Sequence, residues 1–175
     1  HVRIFNPDPN TGEGEIQAKG DNIMQGYYKD PARTKEVFTE DGWFKTGDLG
    51  ILKKNGYLYI KGRLKNVIIG PSGENIYPED IEAVINQNHD VMESLVYESE
   101  GKIIARVHLN YELIEKDHKT KRSNDKQMRA IISKLLENLR KEVNSKVSTF
   151  SRIHRLIEQP EPFVKTPTKK IKRYL

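Results

Sequence analysis

The 175-residue sequence predicts an α+β protein, with a β-rich piece over residues 1–61 followed by a small α+β domain over residues 62–175 that combines short sheets with packed helices. Three observations carry this reading. Asn55-Gly56 lies between two strand-like runs, the strongest short hairpin signal. Met128, Ile131, Ile132, Leu135, Leu136, Leu139 and Val143 recur at three- and four-residue steps, which marks an amphipathic helix. Two apolar runs, Met92–Glu98 and Lys102–Leu109, flank Ser99-Glu100-Gly101 and read as paired strands.

Taken in order, Val2–Phe5 and Glu15–Ala18 are short strands joined by the turn formers Asn6-Pro7-Asp8-Pro9-Asn10-Thr11-Gly12, a hairpin or a barrel edge. Residues 21–45 lack strong periodicity apart from a short helical stretch, Pro31–Phe38. Leu52–Lys54 and Tyr57–Lys61 form the hairpin, and a type I′ turn there requires positive φ at both Asn55 and Gly56. Asn66–Ile69 reads as a brief strand running into Gly70-Pro71-Ser72-Gly73, and a helix begins at Pro78, with Glu79 and Asp80 at the positive end of its dipole. Ile81, Val84 and Ile85 are its buried stripe. Residues 115–127 are mostly charged and read as an exposed loop with no assigned chemistry. The long helix spans about Lys126–Val143, a last strand covers Ile153–Glu158, and Pro160, Pro162 and Pro167 keep the end of the chain extended.

Composition narrows the function classes. With 31% charged and 35% hydrophobic residues the chain reads as a soluble globular protein, and no run approaches the roughly 20 apolar residues of a membrane span. The absence of Cys excludes disulfides, a Cys nucleophile and a thiolate zinc site, and fits a cytoplasmic location. His1 leads directly into Val2-Arg3-Ile4-Phe5 without the regions of a signal peptide, so the chain is expected to begin mid-protein. The net charge of +5 is local: Lys165, Lys169, Lys170, Lys172 and Arg173 stand in a tail without acids, and the rest of the chain is balanced. A nucleic-acid binder would spread its cations over a face, so no nucleic-acid partner is expected. The tail by itself also reads as a solvated basic end.

Four segments then line up in order: Gly14-Glu15-Ile16 with Gly26-Tyr27-Tyr28 and Pro31; Trp43-Phe44-Lys45-Thr46-Gly47-Asp48; Gly62-Arg63-Leu64-Lys65 running to Pro78-Glu79-Asp80-Ile81-Glu82; and Lys165-Thr166-Pro167-Thr168-Lys169-Lys170-Ile171-Lys172-Arg173. Together they resemble the C-terminal third of the adenylate-forming enzymes, the superfamily of acyl-CoA synthetases, peptide-synthetase adenylation domains and luciferases. The wording Gly70-Pro71-Ser72-Gly73-Glu74-Asn75-Ile76-Tyr77-Pro78 and the Thr-Pro-Thr ending are most similar to bacterial long-chain fatty-acid–CoA ligases.

The resemblance implies two steps. A carboxylate attacks the α-phosphate of ATP to give an acyl-adenylate and pyrophosphate, and the thiol of coenzyme A then displaces AMP. It also implies that residues 1–61 end a large N-terminal AMP-binding domain and that residues 62–175 are a mobile lid, turned one way for each step. The implied substrates are a fatty acid, ATP and coenzyme A. Mg²⁺ would be held mainly by the N-terminal domain of the same chain, no metal ligand is assigned here, and the complete enzyme could associate peripherally with a membrane.

By the same resemblance Asp48 accepts from the ribose hydroxyls and Arg63 touches ribose and phosphate. Lys65 is the hinge, and the loop carrying Gly70, Gly73 and Glu74 faces coenzyme A. Lys170 is the catalytic cation, its ammonium bridging the acid's carboxylate and the α-phosphate of ATP. Alone, Thr46-Gly47-Asp48 also reads as a turn, Arg63 as a surface salt bridge and Lys65 as an exposed linker residue. Many family members have Gly before the catalytic lysine. This chain has Lys169, and Lys169 and Lys172 are close enough to compete for the assignment.

The Ser/Thr/Gly-rich phosphate loop and the Tyr-Gly-x-Thr-Glu segment of the family are missing from these residues, so the 175 residues alone are expected to be inactive. Two rivals stand beside this reading: an adenylating domain that loads a carrier protein, and a nonenzymatic module whose basic tail binds an acidic partner.

Overall fold

The computed structural model describes residues 1–119 and 125–173. The protein is α+β, built from four helices and three small sheets among the described residues. It divides into two compact units, residues 1–67 and the chain from Ile68 onward.

The first unit is a four-stranded antiparallel sheet in chain order: β1 (Val2–Phe5), β2 (Gly14–Ala18), β3 (Phe44–Leu52) and β4 (Leu58–Arg63). The β1–β2 hairpin follows the alternation of its residues, with Ile4 opposite Ile16. Its loop is tied by the Asp8 carboxylate, which accepts from the N–H groups of Thr11 and Asn10; these bonds hold the carboxyl below its ordinary pKa. Helix α1 (Pro31–Val37) buries none of its residues. Its local sequence defines it: Pro31 opens the first turn, and the Asp30 side chain accepts from the Arg33 N–H at 2.9 Å.

Strand β3 is longer than its sequence suggests. Its residues include Gly47, Asp48 and Gly50, poor strand formers: Gly50 is paired on both sides, Asp48 lies opposite Arg63, and Gly47 falls in a bulge. Gly50 is needed for that pairing, because a Cβ there would lie 2.6 Å from the Tyr59 carbonyl oxygen and 2.7 Å from Ile16 Cδ1. The β3–β4 hairpin forms where Asn55-Gly56 indicates, but its turn is not type I′. Gly56 has φ +84° while Asn55 does not enter the positive region, and the Gly56 N–H closes onto the Lys53 carbonyl at 2.9 Å. One added residue of loop leaves only the last position left-handed. Leu64–Asn66 then make a single 3₁₀ turn, so the next strand, β5 (Ile68–Ile69), starts later than Asn66.

In the second unit β5 pairs with β6 (Asn75–Ile76), and helix α2 (Pro78–Ile85) follows. Strands β7 (Val91–Ser99) and β8 (Lys102–Leu109) are antiparallel, and β9 (Arg155–Glu158) adds parallel to β8, leaving β7 as one edge of the sheet. Between β8 and β9 lie α3 (Tyr111–Asp117) and α4 (Asp125–Lys146). Ile81 and Ile85 of α2, Ile103, Ala105, Val107 and Leu109 of β8, and Met128, Ile132, Leu139 and Val143 of α4 share one core. The helical spacing read from the sequence is the spacing that faces the sheet.

The charged segment 115–127 is not wholly a loop. Residues 115–117 close α3, which is capped by the Asn110 side chain and anchored by buried Ile114, while residues 125–127 open α4. One buried side chain and one cap sustain the short helix, a signal too slight for periodicity to reveal. Residues 120–124 lie outside the described residues. No helix among the described residues is long and apolar enough to cross a membrane.

Leu139 is 2% exposed and central to the α4 face. Leu139→Ala is expected to destabilise the second unit by about 2–5 kcal/mol, read from the shift of its denaturant midpoint at unchanged slope.

Candidate functional site

Asp48 and Arg63 are brought together by register: they are directly opposed across β3 and β4. The Arg63 guanidinium donates through Nη1 to Asp48 Oδ1 at 2.7 Å and to the Thr46 carbonyl at 3.0 Å. Two residues of β2, Glu15 and Gln17, pair with Leu49 and Lys45, so β3 carries extra residues over Thr46–Asp48. This bulge contains Gly47 at φ +70° and is fastened from within. The Thr46 hydroxyl donates to the Ile16 carbonyl at 2.8 Å and accepts from the Asp48 N–H at 3.0 Å. Bulges of this kind re-aim a side chain. Among the described residues no donor reaches Asp48 Oδ2, and both side chains are partly open to solvent.

Lys65 lies in the 3₁₀ turn, two residues before the boundary between the compact units. Gly70, Gly73 and Glu74 form the turn between β5 and β6. The Gly70 N–H donates to the Glu74 carbonyl at 2.8 Å, the Gly73 N–H to the Gly70 carbonyl at 2.9 Å, and Gly73 has φ +87°. The Glu74 carboxylate folds back to accept from the Ser72 N–H, and a Cβ on Gly70 would lie 2.6 Å from Glu74 Oε2.

Lys170 stands on an exposed hairpin near the end of the chain. Lys165 and Ile171 form an antiparallel bridge, the Lys172 N–H donates to the Val164 carbonyl, and the Thr166 N–H donates to the Lys170 carbonyl at 2.8 Å. The Thr166 hydroxyl accepts from the Lys170 N–H at 3.2 Å, and Lys169 takes the left-handed conformation at φ +61°. Backbone is thus fixed while the Lys170 side chain faces solvent.

The groups that fasten this hairpin have no role assigned from sequence. Lys165 pairs with Glu93 of β7. Arg173 reaches α2, donating to Glu82 Oε1 at 2.9 Å and Oε2 at 2.6 Å. Glu82 Oε1 also accepts from the Val96 N–H at 2.7 Å, and Arg173 donates to the Val96 carbonyl at 3.3 Å. Burial pushes the Glu82 carboxyl above the ordinary carboxylate range, against the pull of Arg173 and the Val96 N–H. Glu82 and Arg173 are 91 residues apart, so no local pattern announces the contact. Elsewhere, His89, Asp90 and Asp117 place potential ligand atoms within 4.8 Å of one another, but His89 and Asp117 are exposed and His89 already pairs with Asp90 at 3.3 Å.

No protein-family profile matches the chain. It is similar to a sulfoacetate–CoA ligase of Cupriavidus necator, 47% identical over 88 residues that make up 50% of this chain and 17% of that protein. It is also similar to a long-chain-fatty-acid–CoA ligase of Mycobacterium tuberculosis, 50% identical over 74 residues, or 42% of this chain and 14% of that protein. In solved structures it matches the A-PCP didomain of a carboxylic acid reductase from Segniliparus rugosus in complex with AMP. That match has 26% identity and a TM-score of 0.76, and covers 97% of this chain and 24% of the other. The chain therefore spans only a small part of each relative. Its relatives include acid–CoA ligases, and its structural neighbours include an ATP-bound enzyme from Rhodopseudomonas palustris and an amide bond synthetase.

The Arg63 side chain is 50% exposed, so its ion pair adds little to stability. Arg63→Gln is expected to change unfolding free energy by less than about 1 kcal/mol in denaturant titration.

Proposed function

We propose that the chain is the C-terminal part of an ATP-dependent acid–CoA ligase. Residues 1–61 end its AMP-binding domain, and residues 62–175 carry its lid, which turns about Lys65 while Gly62 and Arg63 stay paired in the first sheet. The observation that carries this reading is the Asp48–Arg63 pair, held by strand register in a chain that follows acid–CoA ligases in sequence and fold. An ionised carboxylate has acceptor capacity for two hydroxyls, and Arg63 occupies one oxygen while Oδ2 remains to meet a ribose. Arg63 also orients the carboxylate, so the ribose would bind to a group already aimed.

In the first half-reaction two anions must meet, the acid's carboxylate and the α-phosphate of ATP. The Lys170 ammonium holds the charge that builds between them; a preorganised donor at such a point contributes a few kcal/mol. In the second, the Gly70–Glu74 turn comes to the acyl-adenylate and lets the pantetheine arm of coenzyme A approach its backbone. Withdrawal of Lys170 and arrival of that turn are one rotation of the lid. The hinge at Lys65 is supported by its place in a short 3₁₀ turn beside the unit boundary, where few torsions need change. Mg²⁺ is assigned to the AMP-binding domain, as the family resemblance implies.

The acid is proposed to be a fatty acid, on the 50% identity to the long-chain ligase. The A-PCP didomain match favours a second reading, in which a carrier-borne thiol takes the place of coenzyme A. Competition between coenzyme A and a carrier protein in the intact enzyme separates the two.

In the intact enzyme Lys170→Ala is expected to slow acyl-adenylate formation by about 100-fold or more while supplied acyl-adenylate is still converted to the thioester. Loss of both half-reactions in a folded variant would count against the assignment. The isolated 175 residues are expected to form no acyl-CoA in the same assay, the ATP-binding domain being required.

A further inference from the structure

We propose that Arg173 is a positioning residue for adenylation, acting through Lys170 by locking the hairpin that carries it onto α2 and the edge of β7; this rests on the role given to Lys170 above. The hairpin is short and has its own internal hydrogen bonds, so it is stiff, but nothing in those bonds sets its direction relative to the rest of the unit. Direction comes from its two ends. At one, Lys165 pairs with Glu93 on β7. At the other, three residues past Lys170, Arg173 makes two bonds to Glu82 and one to the Val96 carbonyl.

The Arg173 end is the stronger clamp. The Arg173 and Glu82 side chains are 19% and 13% exposed, against 40% and 18% for Lys165 and Glu93. A planar guanidinium gripping both carboxylate oxygens fixes orientation as well as distance, which a lysine ammonium cannot do. Glu82 is in turn held by the Val96 N–H, so the clamp is tied to the sheet backbone. Releasing it would leave Lys170 its charge and its reach but widen the range of directions it samples.

The test uses the intact enzyme and both half-reactions. Arg173→Gln is expected to slow adenylation about 10- to 100-fold, the cost of a misplacement of about 1 Å. Conversion of supplied acyl-adenylate should stay within about twofold, and Arg173→Lys should recover part of the loss. In a Lys170→Ala background Arg173→Gln is expected to add no further loss, because the group it positions is gone. Equal slowing of both half-reactions, additive losses in the double variant, or unchanged adenylation in Arg173→Gln would overturn the proposal. If Arg173→Gln does not fold, Glu82→Gln keeps one acceptor for the Val96 N–H and removes the charge and the second oxygen that Arg173 grips. It should slow adenylation alone, and an equal effect on both steps would again sink the idea. Lys170→Ala that still adenylates would instead overturn the reading on which the proposal rests.

Discussion

Strand β7 has an open edge, and the way that edge is closed organises the second unit. An edge strand must shield or satisfy its outward N–H and C=O groups, since unpaired they invite pairing with another chain. At Val96 the N–H is taken by the Glu82 carboxylate and the C=O by the Arg173 guanidinium, which also grip each other. One part-buried ion pair thus joins a helix, a strand and the hairpin that carries Lys170. Burying a carboxylate is costly, and here the cost is offset because both of its oxygens accept strong hydrogen bonds. Burial still holds the Glu82 carboxyl above its ordinary range, against the pull of Arg173 and the Val96 N–H.

The contrast with Asp48 and Arg63 is physical. That pair is a cross-strand contact partly open to solvent, where charges are screened and add little to stability. Its consequence is geometric: it fixes where a carboxylate points while, among the described residues, no donor reaches its second oxygen. The two Arg–carboxylate pairs therefore differ in kind, one joining distant elements of its unit and one leaving its carboxylate partly open to solvent. The basic tail divides similarly. Lys165 and Arg173 are consumed by acids of their own unit, while Lys169, Lys170 and Lys172 face solvent.

Much of the candidate site was legible because its residues sit in short contiguous motifs. Thr46-Gly47-Asp48, Gly62-Arg63 and Thr166 to Arg173 can each be read by eye, and the Asn55-Gly56 hairpin explains how Asp48 and Arg63 can meet despite fifteen intervening steps. Other features were hidden. β3 carries glycines at a bulge and at a close strand contact, so its composition argues against a strand that pairing on both sides creates. α3 has one buried residue and a cap, and the charges that obscure it are those on its exposed face.

The sequence by itself determined the α+β class, the long helix and its inward face, and the hairpins. These rest on periodicity and turn chemistry, which act over a few residues. Only the tertiary structure decided the bulge that aims Asp48, the turn geometry at Gly56, and the union of Glu82, Val96 and Arg173. Each of these depends on which strand or helix lies alongside, and a contact between residues 91 positions apart is set by packing of the whole unit, with no local pattern to announce it.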